Sequence, residues 1–304
     1  MAFEIPQLYV EQFNSNIRDV AQQTQSRLQG SVLSETQRAE VAWFDETGKL
    51  DLKRKTARNA ATPLDPAEFK RRASFLRDFD RGVPIYDRSD VIRIISDPTS
   101  AITRNLASAR NRCRDENIIK IALETAYRRN EERDSLDPVD IPASNKVAVN
   151  YVPPGGTPAN SGLTLAKLIK MRSILGLSET EELARGAPEI TFVHSQRQID
   201  DLLLNVDQVA NSRYADVKAL IEGKVHHFMG FRFIQTELLP VVAGVRTCFA
   251  YTRDTIMETV GENDFSRVSE REDLSYMLQA YTFMSVGGVR LRESTIAVAY
   301  CAEA

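Results

Sequence analysis

The sequence predicts an α+β fold, and three observations lead to this prediction. A long helix is expected from about residue 98 to 129, because Asp97 and Pro98 form a helix start and an apolar stripe follows at helical spacing. A long polar segment, residues 31–76, precedes this helix. After Lys146 the chain alternates between short strand and helix patterns, which is typical of sheets assembled from distant parts of a chain.

The N-terminal segment carries an amphipathic pattern that predicts a helix over residues 7–28. Tyr9, Phe13, Ile17 and Val20 recur every three or four residues and form one apolar stripe among Gln and Asn residues. Such a stripe must be buried, either in the core of this chain or by a neighbouring subunit. We expect the neighbouring subunit.

The polar segment begins with a strand pattern around residues 41–44 and a turn signal at residues 45–48. Residues 53–77 then hold eight basic and two acidic side chains with little apolar periodicity. This segment is too long for an ordinary loop. It is either an extended arm that reaches over acidic neighbours, which we favour, or a nucleic-acid signal. The candidate contact residues in it are Lys53, Arg54, Lys55 and Arg58.

The second half of the chain predicts short strands and short helices. Strand patterns are KVAVNY, EITFVHS, GFRFIQTELLP, VRTCFAYT and the terminal VRLRESTIAVAYCA, and helix patterns are LTLAKLIKMRSILGL and QRQIDDLLLN. The stretch EDLSYMLQAYTFMSV fits a strand or a helix, and Gly287–Gly288 predicts a turn. Seven acidic and two basic residues occupy residues 178–207, and residues 254–273 have the same balance. In a self-associating protein, these acidic regions would complement the basic arm.

Composition and motifs exclude several classes of protein. The 304 residues are 42% hydrophobic with a net charge of −3, so the chain can build a core and is no polycation. It contains no phosphate-binding loop, no nucleophile elbow and no zinc-protease helix. Three histidines and three dispersed cysteines predict no metal site and no disulfide framework. No signal peptide or membrane span is expected. We therefore predict no catalytic, cofactor-binding or metal-binding residues.

Four stretches carry a resemblance to a known family: ASFLRDFDRGVPIYDRSDVIRIISDP, FMGFRFIQTELLP, CFAYTRDTIMETVG and REDLSYMLQAYTFMSVGGVRLRESTIAVAYC. With the order of elements over the whole chain, they resemble the major capsid proteins of tailed bacteriophages with the Hong Kong 97-like fold. The resemblance implies an N-terminal arm at 1–30 and an extended loop at 31–76. It implies a peripheral domain with the spine helix at 77–150 and 265–304, and an axial domain at 151–264.

The same resemblance implies a structural, non-enzymatic role. The chain would self-assemble, as hexamers and pentamers, into the icosahedral shell of a virion around packaged double-stranded DNA, which its inner face would contact non-specifically. Assembly would take place in the host cytoplasm, with possible separate scaffolding, portal and decoration proteins and no membrane or cofactor. Only about thirty residues precede the extended loop, so we expect no cleaved scaffold segment. No motif fixes a lysine–asparagine cross-link, and none is predicted.

Two other functions remain open from the residues alone. One is an enzyme of unknown type with a mobile basic lid, against which the absent catalytic motifs count. The other is a basic-armed nucleic-acid-binding protein, against which the overall acidity and the few aromatic residues near the basic run count. Particle size distinguishes all three.

Overall fold

A computed structural model describes most of the chain. The described residues are 22–48, 50–52, 54, 58, 66–86, 99–130, 135–177, 190–204, 227–262, 264–274 and 276–303. The chain divides into two compact units. One contains the segments up to Ser26, Asp78–Cys113 and Asn263–Ser285, and the other contains Arg27–Arg77, Arg114–Glu262 and Val286–Ala304.

One eight-stranded sheet contains both long strands of the protein. Its strands are β1 (Leu33–Gln37), β2 (Val41–Thr47), β3 (Phe69–Tyr86), β4 (Ala126–Arg129), β5 (Leu136–Val139), β12 (Ile256–Gly261), β13 (Phe265–Arg271) and β14 (Met277–Arg290). The order is β1-β12-β14-β3-β4-β5, with β2 paired to β3 and β13 paired to β14. β1 runs parallel to β12, whereas β2 and β13 each form antiparallel ladders of seven residue pairs. We call this the arm sheet, because the residues of the polar segment enter and leave it.

A seven-stranded sheet lies within the second unit. Its strands are β6 (Lys146–Val147), β7 (Ile190–His194), β8 (His227–Phe228), β9 (Phe231–Gln235), β10 (Val241–Val242), β11 (Val245–Tyr251) and β15 (Ile296–Ala302). The order is β6-β15-β11-β7-β9-β8, with β10 paired to β11. Every residue of β7 is buried, and five of the seven residues of β15 are buried. We call this the core sheet, because both its faces are covered by apolar side chains.

Three helices complete the described structure: α1 (Thr99–Leu123), α2 (Leu165–Gly176) and α3 (Gln196–Leu204). The C-terminal half of α1 is tied to the arm sheet by polar contacts. The Arg114 guanidinium donates to both carboxylate oxygens of the buried Glu258, at 2.9 and 2.7 Å. Asn117 donates its side-chain amide to the Gly287 carbonyl at 3.0 Å. These contacts fix the register of the helix on the sheet, because each uses a specific pair of atoms.

The N-terminal prediction is wrong where it can be examined. Residues 7–21 of the predicted helix lie outside the described residues, and residues 22–28 are not helical. The backbone amides of Arg27 and Leu28 instead donate to the two carboxylate oxygens of Asp115, at 3.0 and 3.2 Å. Leu28 is fully buried in the core. Two hydrogen bonds and an apolar anchor therefore hold this segment against α1 in a non-helical form.

The polar segment is partly built into the body, which shortens the predicted arm. β1 pairs with β12, and Val32 belongs to the core cluster. At the other end, Ala73 is buried and β3 continues to Tyr86 as one long strand. The predicted turn at residues 45–48 comes too early, since β2 runs to Thr47. Backbone pairing overrode the polar composition here, because a strand needs ladder partners more than it needs apolar residues.

The structure also differs from the prediction at the end of α1 and at the glycine pair in β14. α1 ends at Leu123 and residues 126–129 form β4, whereas the helix was predicted to reach residue 129. Gly287 and Gly288 lie inside β14 instead of forming a turn. Glycine is required at position 287 because a Cβ there would stand 2.1 Å from the Phe75 carbonyl oxygen. The terminal strand β15 pairs with β11 in the core sheet.

The short elements of the second half follow the sequence well. The structure has the predicted strands at β7, β9, β11 and β15 and the two predicted helices as α2 and α3. The KVAVNY pattern yields only the two-residue strand β6. The ambiguous EDLSYMLQAYTFMSV stretch is strand from Met277 onwards, where β14 pairs first with β13 and then with β12.

Candidate assembly surfaces

The root of the arm is a two-stranded ladder that ends in solvent. β2 and β3 pair from Val41↔Phe75 to Thr47↔Phe69, and a hydrogen bond from the Gly48 amide to the Glu68 carbonyl extends the ladder. Large apolar side chains are left exposed beside it. Phe69 is 73% exposed and Leu52 is fully exposed. Exposed apolar groups clustered at one place are typical of a surface that another protein covers.

One ion pair joins the two strands of the root, and a second ties β2 to Arg292, just beyond β14. Arg71 donates to both carboxylate oxygens of Asp45 at 2.5 and 2.8 Å, and this contact lowers the pKa of Asp45. On β2, Glu46 accepts from Arg292 at 2.5 Å. These pairs are partly exposed, so each contributes little to stability but fixes the direction in which the arm leaves the body.

A groove of about 600 Å³ lies beside the root, where β3 and β4 separate. The ladder between these strands has only two residue pairs, Arg72↔Arg128 and Ala73↔Tyr127. Beyond it the strands diverge, and the gap has four basic and two acidic side chains. We call this the root groove; its lining residues are Asp45, Glu68, Phe69, Lys70, Arg71, Arg128, Arg129 and Asn130. Arg129 also lies over the Trp43 ring, 5.1 Å from its centroid.

A buried arginine connects the end of α1 to the arm sheet. Arg290 is fully buried and donates to the carbonyls of Ala122 and Glu124, at 3.0 and 2.7 Å, at the end of α1. It also donates to the Val139 carbonyl of β5 at 2.8 Å. A cation at a helix C-terminus satisfies carbonyls that lack intrahelical partners and opposes the negative end of the helix dipole. Arg290 therefore joins α1 to the strand beyond β4.

An acidic hairpin is the second exposed surface, and it lies in the other unit. β13 and β14 pair from Phe265↔Phe283 to Arg271↔Met277, so the chain reverses direction between Arg271 and Met277. Leu274 and Tyr276 are 45% and 51% exposed, and Tyr276 has φ of +56°, a left-handed conformation. Arg271 holds Asp273 at 2.9 and 2.5 Å. We call residues 271–277 the hairpin tip.

A buried lysine organises the loop before α2, and sequence reasoning missed it. The Lys167 ammonium lies within 2.7–2.9 Å of four backbone carbonyls, those of Val149, Ser161, Gly162 and Tyr300. Burial lowers the pKa of this lysine. Its signal in the sequence is its position on the apolar face of α2, in line with Met171 and Ile174. The contacts fix the loop before α2, at Val149, Ser161 and Gly162, to Tyr300 of β15.

His194 is a core residue. It is buried at the end of β7, stacks on Phe192 with ring centroids 5.8 Å apart, and lies 5.4 Å from the Phe233 ring. Desolvation lowers its pKa to about 4. His226 lies outside the described residues. In the described part of the chain, no group of three metal-ligating side chains is assembled, and no helix is long and apolar enough to cross a membrane.

The contact residues chosen from the sequence fall mostly outside the described part of the chain. This applies to Tyr9, Phe13, Ile17, Val20, Lys53 and Lys55. Arg54 and Arg58 are described and exposed. The structure brings none of the described candidates into a contact. It shows instead the root groove and the hairpin tip, whose exposed aromatic and apolar residues carry no signal that one sequence could separate from a core pattern.

The sequence matches one family model over nearly its whole length. Residues 5–303 match the family described as phage capsid protein. The chain belongs to this family. A comparison with curated proteins gives no match.

Solved structures establish the fold. The capsid protein of Ralstonia phage GP4 matches with a TM-score of 0.75 at 10% identity, over 100% of this chain and 98% of that one. The capsid of cyanophage P-SCSP1u gives 0.70 at 13% identity, over 100% and 96%. The capsid of a native GTA particle gives 0.63 at 14% identity, over 96% and 95%. The capsid protein has the Hong Kong 97-like fold predicted from its sequence.

Its function as a structural subunit follows from the family and the fold together. The capsid protein assembles as multiple copies into an icosahedral shell, which is the shell of the virion. The sequence-based prediction of a structural capsid protein is therefore confirmed. The root groove and the hairpin tip are accordingly surfaces of a subunit whose neighbours are further copies of itself.

Proposed function

We propose that this shell is built from hexamers and pentamers and encloses the double-stranded DNA of the phage. The inner face contacts the DNA without sequence preference, and assembly takes place in the host cytoplasm. The subunit works as a structural element and has no enzymatic activity. Scaffolding, portal and decoration proteins are separate chains that the shell recruits.

The observation that carries the proposal is the exposure of apolar side chains on and beside the arm. Phe69 is 73% exposed, Leu50 is 67% exposed and Leu52 is fully exposed in the single chain. A monomer would leave this apolar surface in water at a cost of about 25 cal/mol per Å². Burial against neighbouring copies removes that cost at every repeat of the contact. A lid over an active site would instead cover a site in its own chain.

We further propose a division of the chain into working parts. Residues 38–71 are the arm that lies across a neighbour, which is narrower than the 31–76 expected from composition. Residues up to 21 form an N-terminal arm whose stripe of Tyr9, Phe13, Ile17 and Val20 is buried by another subunit. Residues 22–28 support the body, since Leu28 is buried in it. The peripheral part contains α1 and the β13–β14 hairpin, and the axial part contains the core sheet.

Deletion of residues 1–21 tests the N-terminal arm. We expect a folded subunit that gives few particles, because the deletion leaves Leu28 and its contacts with Asp115 intact. Sedimentation separates particles from free subunits, and circular dichroism reports folding. The matched control is deletion of residues 1–5, which precede the stripe. Normal particle yield from the longer deletion would contradict a role for the N-terminal arm in assembly.

Electron microscopy and nuclease protection test the proposal as a whole. The full chain should form closed particles, and particles from infected cells should protect DNA of all sequences equally from nuclease. A monomer or a small oligomer would overturn the proposed assembly. Protection of one sequence class, or particles that form normally but lose all DNA when the arm is neutralised, would favour a nucleic-acid-binding arm.

A further inference from the structure

The root groove has the form of a site for an inserted chain segment. Its walls are β3 at Lys70 and Arg71 and β4 at Arg128 and Arg129, which no longer pair with each other beyond Arg72↔Arg128. Both walls therefore present strand edges towards the gap. The volume of about 600 Å³ would hold several side chains of a partner.

Charge and apolar surface in the groove set the chemistry of that partner. Arg71 is paired with Asp45 and Arg128 with Asp137, the latter at 3.5 Å. Lys70 is exposed and has no partner in the described part of the chain. Next to it, the ring of Phe69 is largely exposed. A fitting segment would carry a carboxylate for Lys70 and an apolar side chain for Phe69.

The hairpin tip carries that combination. Glu272 is exposed and, like Lys70, has no partner within the described residues. Asp273 is held by Arg271, and Leu274 and Tyr276 project beside the two acids with about half of their surface exposed. Tyr276 has a left-handed conformation, and the two acids, Leu274 and Tyr276 are all exposed at this reversal. The tip is acidic where the groove is basic, and both present apolar groups.

We propose that the root groove of one subunit receives the hairpin tip of a second copy of this chain. Glu272 of the tip pairs with Lys70, and Leu274 or Tyr276 packs on Phe69. This proposal rests on the proposed assembly. It adds one specific contact between two copies, and that contact does not involve the basic arm residues 53–58. Because the groove lies at the base of the arm, the same neighbour would be held where the arm leaves the body.

A charge-swap experiment on the full chain tests the pairing. Lys70→Glu and Glu272→Lys should each lower particle yield by about tenfold or more, since each places like charges together. The combined variant should restore most of the yield. The matched control combines Lys70→Glu with Glu35→Lys, because Glu35 is an exposed carboxylate on β1 without a partner among the described residues. That combination should remain defective. Unfolding midpoints of the free subunits should be equal in all variants.

Cysteine cross-linking gives an independent readout. Phe69→Cys with Leu274→Cys should give disulfide-linked multimers in oxidised particles, and little in dilute free subunits. Phe69→Cys with Leu177→Cys is the control, since Leu177 is 80% exposed and belongs to neither surface. Normal yield of both single charge variants, or no multimers from the first cysteine pair in intact particles, overturns this contact and leaves the shell function standing. Failure of the unmodified chain to form particles would instead overturn the proposed assembly itself.

Discussion

The core sheet and the arm sheet solve different problems with the same kind of element. The core sheet is covered on both faces, and its central strands carry Phe192, Phe249 and Tyr251 in full burial. The arm sheet holds its strands to α1 with buried arginine contacts and leaves Trp43 and Phe69 at its outer edge 39% and 73% exposed. The difference indicates that the core sheet makes the subunit stable and that the arm sheet makes it bind its copies.

Stability of the arm sheet should depend on few residues. Arg290→Met should destabilise the free subunit by about 3–5 kcal/mol, because removal of one partner of a buried charge network leaves the others unpaired. These are the carbonyls of Ala122, Glu124 and Val139. Urea unfolding measures the effect. Arg292→Met is the matched control: its single pair with Glu46 is half-exposed, so about 1 kcal/mol or less is expected. Equal losses would contradict the special role of Arg290.

The glycine pair inside β14 offers a second test of close packing in the arm sheet. Gly287→Ala should cost about 3 kcal/mol or more, since the new methyl group would meet the Phe75 carbonyl of β3 and the strands would have to separate. Thermal unfolding of the free subunit measures this. Gly156→Ala, in the loop before α2 where a Cβ would meet only the neighbouring residues 152 and 153, is the control and should change little.

The core sheet should respond to acid through His194. Its folded-state pKa of about 4 lies below the usual 6.5, so the unfolded chain binds a proton first as pH falls. The stabilisation is complete above pH 6.5 and is lost between about pH 6.5 and 4, up to roughly 3 kcal/mol. A His194→Phe variant should show a flatter acid limb of the unfolding free energy. An unchanged slope over that range would show that His194 is not the group responsible.

Surface aromatic residues of the arm sheet should affect particle assembly more than the stability of the free subunit. Trp43→Ala should change the unfolding free energy of the free subunit by about 1 kcal/mol or less, because the ring is partly exposed and its main described contact is the surface stack with Arg129. Particle yield should nevertheless fall. Sedimentation of the variant at the concentration used for the unmodified chain decides this, and a normal yield would remove Trp43 from the assembly surface.

Sequence reasoning predicted the core sheet better than the arm sheet, for physical reasons. The apolar runs of β7, β11 and β15 predict buried strands, because apolar residues must be buried and each run is too short for a helix. In the arm sheet, β3 carries a run of charged residues that form a strand because they pair with β2, β4 and β14. The end of α1 depends on Arg290, 167 residues beyond Leu123 in the chain, and no local pattern reveals that contact.

The assembly surfaces were predicted only in outline. Excess basic charge in residues 53–77 and excess acid in residues 254–273 were visible in the sequence, and the groove and the tip lie within or beside these segments. The residues that make each surface were not visible. Lys70 and Glu272 become distinctive only because neither has a partner among the residues that the structure describes. The sequence alone is compatible with a core position for Phe69, whereas the structure leaves it 73% exposed.

The central claim, that residues outside the core drive assembly, is tested most directly by one variant measured in two ways. Lys53, Arg54, Lys55 and Arg58 are replaced together by Ser, and the unfolding midpoint of the free subunit and the particle yield at low salt are measured side by side. The account predicts an unchanged midpoint with a several-fold lower particle yield, and a similar loss when high salt screens the unmodified chain. An unchanged particle yield at low salt, or a lowered unfolding midpoint, would contradict it.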